Sequence, residues 1–249
     1  MQAEIIAVGT EMLLGEITDT NSPYLARQLA QLGIDIYYQE TVGDNPQRIT
    51  ALLQQASQRS DLVILSGGLG PTADDVTKRT VAEFLHQPLV TNAQAKEKLT
   101  ATAARLQHAL TPNNLVQAQL PAGGEPLPNR TGLAVGSWNV MQGTIYVTLP
   151  GPPQEFKPMV SEQLIPRLAQ HTHKVLASTM LRFYGLTESV IATKLAPLID
   201  AQTNPTIAIY YQFPDIAVRV TAQAADHAAA AQLVAPVAAQ VKDLPGDAY

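Results

Sequence analysis

A short, mostly apolar run at positions 4–8 (E-I-I-A-V) opens the chain and stops at Gly9. Over residues 22–32 the spacing turns helical, with Leu25, Leu29 and Leu32 on one face and Asn21 placed as the cap. Residues 35–42, around Ile36, Tyr37 and Tyr38, predict a strand that ends in Gly43-Asp44-Asn45-Pro46. Residues 47–58 are helical again through Ile49, Leu52, Leu53 and Ala56. L-V-I-L at 62–65 has the unbroken apolarity of a buried strand and terminates in Ser66-Gly67-Gly68; residues 76–85 predict a third helix. Strand and helix alternating with short connections specify an α/β fold with a parallel sheet covered on both faces. Right-handed crossovers then gather the strand-to-helix loops at one edge of that sheet, where ligands of such folds bind. Residues 9–14, 43–46 and 67–75 are thereby expected to meet.

Further on, residues 92–110 are helical by propensity, and the Pro/Gly-rich stretch 112–136 resists assignment. Residues 137–149 alternate around Gln142-Gly143 as a hairpin does, and residues 154–169 predict a helix with proline in its first turn. After a polar hinge at 170–174 the period changes. A strand (175–184), a helix (187–199), a strand pair (206–212 and 216–222) and a helix (226–241) form a βαββα unit of about 75 residues, small for a domain. The expected organisation is a three-layer domain at 1–169 with a mostly parallel sheet, and a small α+β domain at 174–249.

Composition narrows the chemistry. The 249 residues include 46% apolar and 15% charged side chains, enough to bury a core, with no apolar run that approaches a membrane span. No cysteine is present, which removes disulfides, thiolate catalysis and iron–sulfur clusters. The net charge of −5 disfavours electrostatic nucleic-acid binding, and Met1-Gln2-Ala3-Glu4 has no basic flank of a signal peptide. A cytoplasmic protein, with neither nucleic acid nor membrane as partner, is expected.

The most informative segment is Ser66-Gly67-Gly68-Leu69-Gly70-Pro71-Thr72-Ala73-Asp74-Asp75-Val76-Thr77. It runs from a buried strand into a helix, and its amides can bind an anion that glycine lets close to the backbone. It is not a dinucleotide fingerprint: it follows the third strand, Pro71 interrupts the amides, and no acid ends a next strand. Nor is a Walker lysine in place. The acidic pair Asp74-Asp75 reads either as a helix cap or as a ligand set, and Asp44 is expected at the same edge. Two carboxylates about 5 Å apart repel by about 3 kcal/mol at an effective dielectric of 20, which a divalent ion or a shared proton relieves. Glu11, in Gly9-Thr10-Glu11, is a third acid there or a solvent-facing turn residue. Asp19-Thr20-Asn21 is open to a capping reading, and the 150–155 turn either presents amides to an anion or merely starts a helix. The histidines (His86, His108, His171, His173, His227) are scattered, with no metal-ligand spacing, and no G-x-S-x-G elbow occurs.

Taken together, Gly9-Thr10-Glu11-Met12-Leu13-Leu14-Gly15, Asn21, Val42-Gly43-Asp44-Asn45, the 67–77 turn and Leu149-Pro150-Gly151-Pro152-Pro153-Gln154-Glu155 resemble the CinA family of competence/damage-inducible proteins over essentially the whole chain. The resemblance implies a molybdopterin-binding-like (MoaB/MogA-like) domain followed by a KH-like domain that contributes to a homodimer. It further implies metal-dependent ADP-ribose pyrophosphatase activity, and full-length relatives continue into a nicotinamide-nucleotide amidase domain whose activity is not assigned to this sequence. The related molybdopterin adenylyltransferases have two functional aspartates, which correspond to Asp44 and Asp75. The sequence departs from the family at Leu133 and Val135, where Thr and Pro are usual, and at Pro152 and Phe156.

On this reading Asp44 and Asp75 are catalytic and hold the metal, and Glu11 assists as ligand or base. Thr10, Asn21, Gly67, Gly68, Gly70, Thr72, Asn129, Gly151 and Glu155 contact the nucleotide substrate. The implied cofactor is a divalent ion (magnesium, manganese or cobalt), with a monovalent cation admitted beside it. Two other readings use the same pocket: a pterin-binding adenylyl-transfer protein, and a non-catalytic nucleotide-binding dimer module.

Overall fold

In the computed structural model the residues described are 1–107, 109–172, 175–212 and 214–243. His108, His173 and the expected domain start at Lys174 lie outside them. Two compact units divide the chain, the first made of Met1–Leu29 and Ile34–His171, the second made of the short segment Ala30–Gly33 and the chain from Thr172 onward.

The first unit starts with β1 (Gln2–Val8), a single helical turn α1 (Thr10–Leu13), α2 (Asn21–Gln31), β2 (Asp35–Val42), α3 (Pro46–Ala56), β3 (Leu62–Ser66) and α4 (Thr77–Phe84). Next come β4 (Leu89–Thr91), α5 (Ala93–Arg105), a 3₁₀ helix (Pro112–Ala118), β5 (Gln119–Pro121), β6 (Glu125–Leu127), β7 (Gly136–Met141) and β8 (Thr144–Leu149). It closes with α6 (Pro153–Met159), a π turn (Val160–Leu164) and α7 (Ile165–Leu168). Six strands form one sheet in the order β2-β1-β3-β8-β7-β6. β2, β1, β3 and β8 are parallel, while β7 and β6 join antiparallel. Along β1 and β3 alternate residues face opposite ways. Ile6, Val8, Val63 and Leu65 pack with Ile49 and Leu53 of α3 and Val81 of α4. Ile5 and Ile64 point to the other face and are fully buried, so both faces are covered.

One charged side chain sits inside this layer. Glu4 of β1 is fully buried and takes a bidentate pair from Arg59 at 3.0 and 2.7 Å, with Ser60 Oγ at 3.2 Å. It marks the point where the β1–β2 register slips, between Ala3 and Glu4.

Several expected boundaries shift for local reasons. Asn21 is not the cap of α2 but its first residue; Asp19 Oδ1 caps the helix by accepting from the amides of Asn21 and Ser22 at 2.9 and 3.0 Å. The helix expected over 92–110 is capped by Asn92 and stops at Arg105. The unassigned stretch 112–136 contains the 3₁₀ helix and the three-residue strands β5 and β6. Gln142 and Gly143 both have positive φ (51° and 87°), the two-residue turn that a right-twisted hairpin requires.

The second unit consists of β9 (Val175–Phe183), α8 (Glu188–Asp200), β10 (Thr206–Gln212), β11 (Asp215–Ala224) and α9 (His227–Asp243). Its antiparallel sheet, ordered β10-β11-β9, closes its own core around Phe183, Ile191, Leu195, Val218, Val220 and Val234. Among the described residues no helix is long and apolar enough to cross a membrane.

Candidate functional site

The four parallel strands end at one edge of the sheet, where the chain leaves β1 at Gly9, β2 at Gly43, β3 at Gly67 and β8 at Pro150. A cleft of about 950 Å³ opens there, lined by residues from all four loops. Of the site residues expected from sequence, Thr10, Glu11, Asn21, Asp44, Gly67, Gly68, Gly70, Thr72, Asp75, Gly151 and Glu155 line it. Asn129 does not.

Asp44 and Asp75 are held alike. Asp44 Oδ2 accepts from the amide and hydroxyl of Thr10, both at 2.8 Å, and the Asp44 amide donates back to Thr10 Oγ1 at 3.2 Å. Asp75 Oδ2 accepts from the amide and hydroxyl of Thr72 at 2.8 and 2.6 Å. Asp75 is therefore not a helix cap: the N-cap of α4 is Val76, which makes no side-chain capping bond. Gly70 leaves the space this needs, since a Cβ there would lie 2.6 Å from Asp75 Oδ2. The other oxygen of each carboxylate has no protein donor among the described residues.

The glycine turn is narrower as an anion site than its sequence suggests. The Gly67 amide donates to Leu149 O at 3.0 Å, and the Thr72 amide is committed to Asp75. That leaves the successive amides of Gly68, Leu69 and Gly70 without an acceptor among the described residues. Gly67 serves geometry instead: its φ of +108° brings the backbone against Val8 O, where a side chain has no room.

Asn21 and Glu155 work in the walls. Asn21 Nδ2 ties Ser66 Oγ (3.2 Å) to Gly151 O (2.7 Å), joining the ends of β3 and β8. Glu155 Oε2 accepts from Asn129 Nδ2 at 2.7 Å, and Asn129 Oδ1 accepts from the Gly132 amide at 2.7 Å. The buried Asn129 thus shapes the 129–134 loop from behind, and Gly132, Leu133 and Ala134 of that loop reach the cleft.

Two lysines escaped the sequence reading. Lys98 of α5 donates to the carbonyls of Asn129, Arg130 and Gly132, and burial pushes its pKa down against the opposing field of Glu155. Lys78 of α4 is buried, and its ammonium donates to Gln117 O at 2.8 Å and Val116 O at 3.2 Å. Desolvation lowers its pKa from the ordinary 10.5 to about 7, and Asp75 opposes the shift. The signal for Lys78 was present: it shares the inward face of α4 with Val81, Ala82 and Leu85, where a lysine is out of pattern.

The cleft is strongly acidic. Glu11, Asp19, Asp44, Asp74, Asp75 and Glu155 line it, with no Lys, Arg or His among the described lining residues. Each of Asp44 and Asp75 thus offers the cleft one unengaged carboxylate oxygen, the donor type that a hard divalent ion takes while completing its shell with water and phosphate oxygens. Among the described residues no group of three or more His, Asp or Glu could hold a metal, so Glu11 does not complete a protein cage. Its carboxylate instead packs over Gly9, where a Cβ would lie 2.6 Å from Glu11 Oε1.

The first unit is a molybdopterin-binding-like α/β domain. Residues 4–170 match the model of a probable molybdopterin binding domain, and residues 178–249 that of the damage-inducible protein CinA KH domain. The chain belongs to the CinA family. A Levilactobacillus brevis protein bearing the name competence-damage inducible protein is 51% identical over 250 residues, covering 99% of this chain and 60% of that one. A Streptococcus pneumoniae relative of the same name is 50% identical over 244 residues, covering 98% and 58%. This chain therefore spans about 60% of the length of the curated relatives it matches. The CinA protein of Thermoplasma acidophilum has a solved structure that superposes with a TM-score of 0.61 at 31% identity, over 66% of this chain and 99% of that one.

Proposed function

We propose that the cleft hydrolyses the pyrophosphate of ADP-ribose or a closely related nucleotide, releasing AMP and ribose 5-phosphate. The observation that carries this reading is the pairing of unengaged amides at Gly68, Leu69 and Gly70 with the threonine-held carboxylates of Asp44 and Asp75. Asp44 and Asp75 are the residues that would hold a divalent ion. Bound there, it supplies neutralisation of the phosphate charge and polarisation of the attacked phosphorus.

The chain's own residues do the rest. Thr10 and Thr72 fix the two carboxylates, and the 68–70 amides orient a phosphate through hydrogen bonds that strengthen as charge builds on its oxygens. Glu11 accepts the proton of the attacking water. The water oxygen bonds to one phosphorus, the bridging P–O bond breaks, and the bridging oxygen leaves with the other phosphate. Gly151 and the wall held by Asn129 and Glu155 border the nucleoside. The second unit is proposed as the contact of a homodimer, which light scattering of the purified chain tests.

A second reading is favoured by the match of residues 4–170 to a probable molybdopterin binding domain: the same cleft carries a pterin and moves an adenylyl group. One experiment separates them. Incubation with ADP-ribose and magnesium, manganese or cobalt yields AMP under the first reading, and Asp75→Asn abolishes it. Unchanged turnover in that variant, or tight pterin binding with no AMP released by the parent chain, sinks the first reading.

A further inference from the structure

We infer that Lys78 is a positioning residue, which braces the Asp75 end of the glycine turn against the 3₁₀ helix whose Gln117 lines the same cleft. The inference rests on the reading that Asp75 works in that cleft.

The brace has two struts on one short helix. At its start, Asn113 Nδ2 donates to Pro71 O of the glycine turn at 3.0 Å. At its end, the Lys78 ammonium holds Gln117 O and Val116 O. Pro71 and Lys78 flank the Thr72–Asp75 pair, whose own hydrogen bonds are local and do not fix it to the rest of the domain. Tied at both sides, the turn cannot shift against the cleft wall without pulling on this helix.

The two carbonyls do not need the lysine. Gln117 O also accepts from the Val135 amide at 2.9 Å, and Val116 O from the Gln119 amide. An apolar replacement thus leaves neither orphaned, and it removes a charge that burial penalises, as the depressed pKa of about 7 records. A buried cation that costs stability and satisfies no otherwise unpaired group points to a role in the site. The charged group whose field acts on it, among the described residues, is Asp75.

The test uses the full chain carrying Lys78→Met, Lys78→Arg or Asn113→Ala. Hydrogen exchange over residues 67–76 is measured beside ADP-ribose turnover with manganese. Lys78→Met is expected to melt no lower than the parent at pH 7, to exchange about tenfold faster at 67–76, and to lose kcat by roughly 10–100-fold with KM changed less than about threefold. Lys78→Arg restores part of kcat, and Asn113→Ala shows a smaller loss of the same kind. Parental exchange and parental kcat in Lys78→Met overturn the inference. If that variant does not fold, Asn113→Ala decides: no acceleration at 67–76 overturns it equally. Should the parent chain hydrolyse no ADP-ribose, the proposed function fails, while exchange at 67–76 still judges the brace.

Discussion

At the scale of single residues, what a side chain does here depends on which neighbour reaches it first. Asp75 sits where a capping residue belongs, yet its carboxylate turns back to Thr72, and α4 begins at Thr77 with no side-chain cap. Asn21 looks like a cap in sequence, but Asp19 takes that role and frees the amide to join Ser66 and Gly151. Both choices hinge on contacts that sequence spacing does not encode. Lys78 yields a pH prediction. Its pKa is lowered in the folded chain to about 7 from 10.5, so between those values the unfolded chain binds the extra proton. Stability therefore rises with pH across that window, by at most about 1.4 kcal/mol per pH unit, and the gain is absent below about pH 7. Urea midpoints at pH 6.5 and 9 are expected to differ in the parent chain and to converge in Lys78→Met. The same slope in both would assign it to other groups.

At the scale of elements, legibility follows locality. β1 and β3 are mostly apolar runs followed directly by a glycine, and α3 and α4 repeat their inward residues every three or four positions, so periodicity alone places them. β4, β5 and β6 are three residues each, two of them containing proline, and exist because a partner strand supplies the pairing. No local pattern announces them. The 3₁₀ helix of residues 112–118 was equally silent, although it carries both struts behind the glycine turn. Asn45 Oδ1 accepts from the Arg48 amide at 3.0 Å, just after Asp44 and at the start of α3. Asn45→Ala is expected to cost about 1 kcal/mol in chemical denaturation. Because Asp44 is gripped independently by Thr10, nucleotide turnover at 25 °C should fall no more than about twofold, well under the tenfold that 1.4 kcal/mol would give. A loss nearer a hundredfold would mean that the cap, rather than Thr10, sets the carboxylate.

For the whole molecule, the decisive feature is that each unit closes a core of its own. The first packs Ile6, Val63, Leu65, Ile49, Leu53 and Val81 about the parallel sheet; the second packs Phe183, Ile191, Leu195, Val218 and Val234 about three antiparallel strands. The loops that make the cleft belong to the first unit alone. A lesion in the second core should therefore spare the cleft's chemistry. Phe183 is fully buried, and Phe183→Ala is expected to cost about 3–5 kcal/mol, the usual penalty for emptying an aromatic site. Peptide-resolved hydrogen exchange should show that cost across residues 175–243, with residues 1–29 and 34–171 unchanged. Manganese and ADP-ribose together should slow exchange in the first unit of parent and variant alike, since a ligand stabilises the part that binds it. Equal acceleration in both units would show one cooperative body, and the cleft would then owe its shape to the second core as well as to its own.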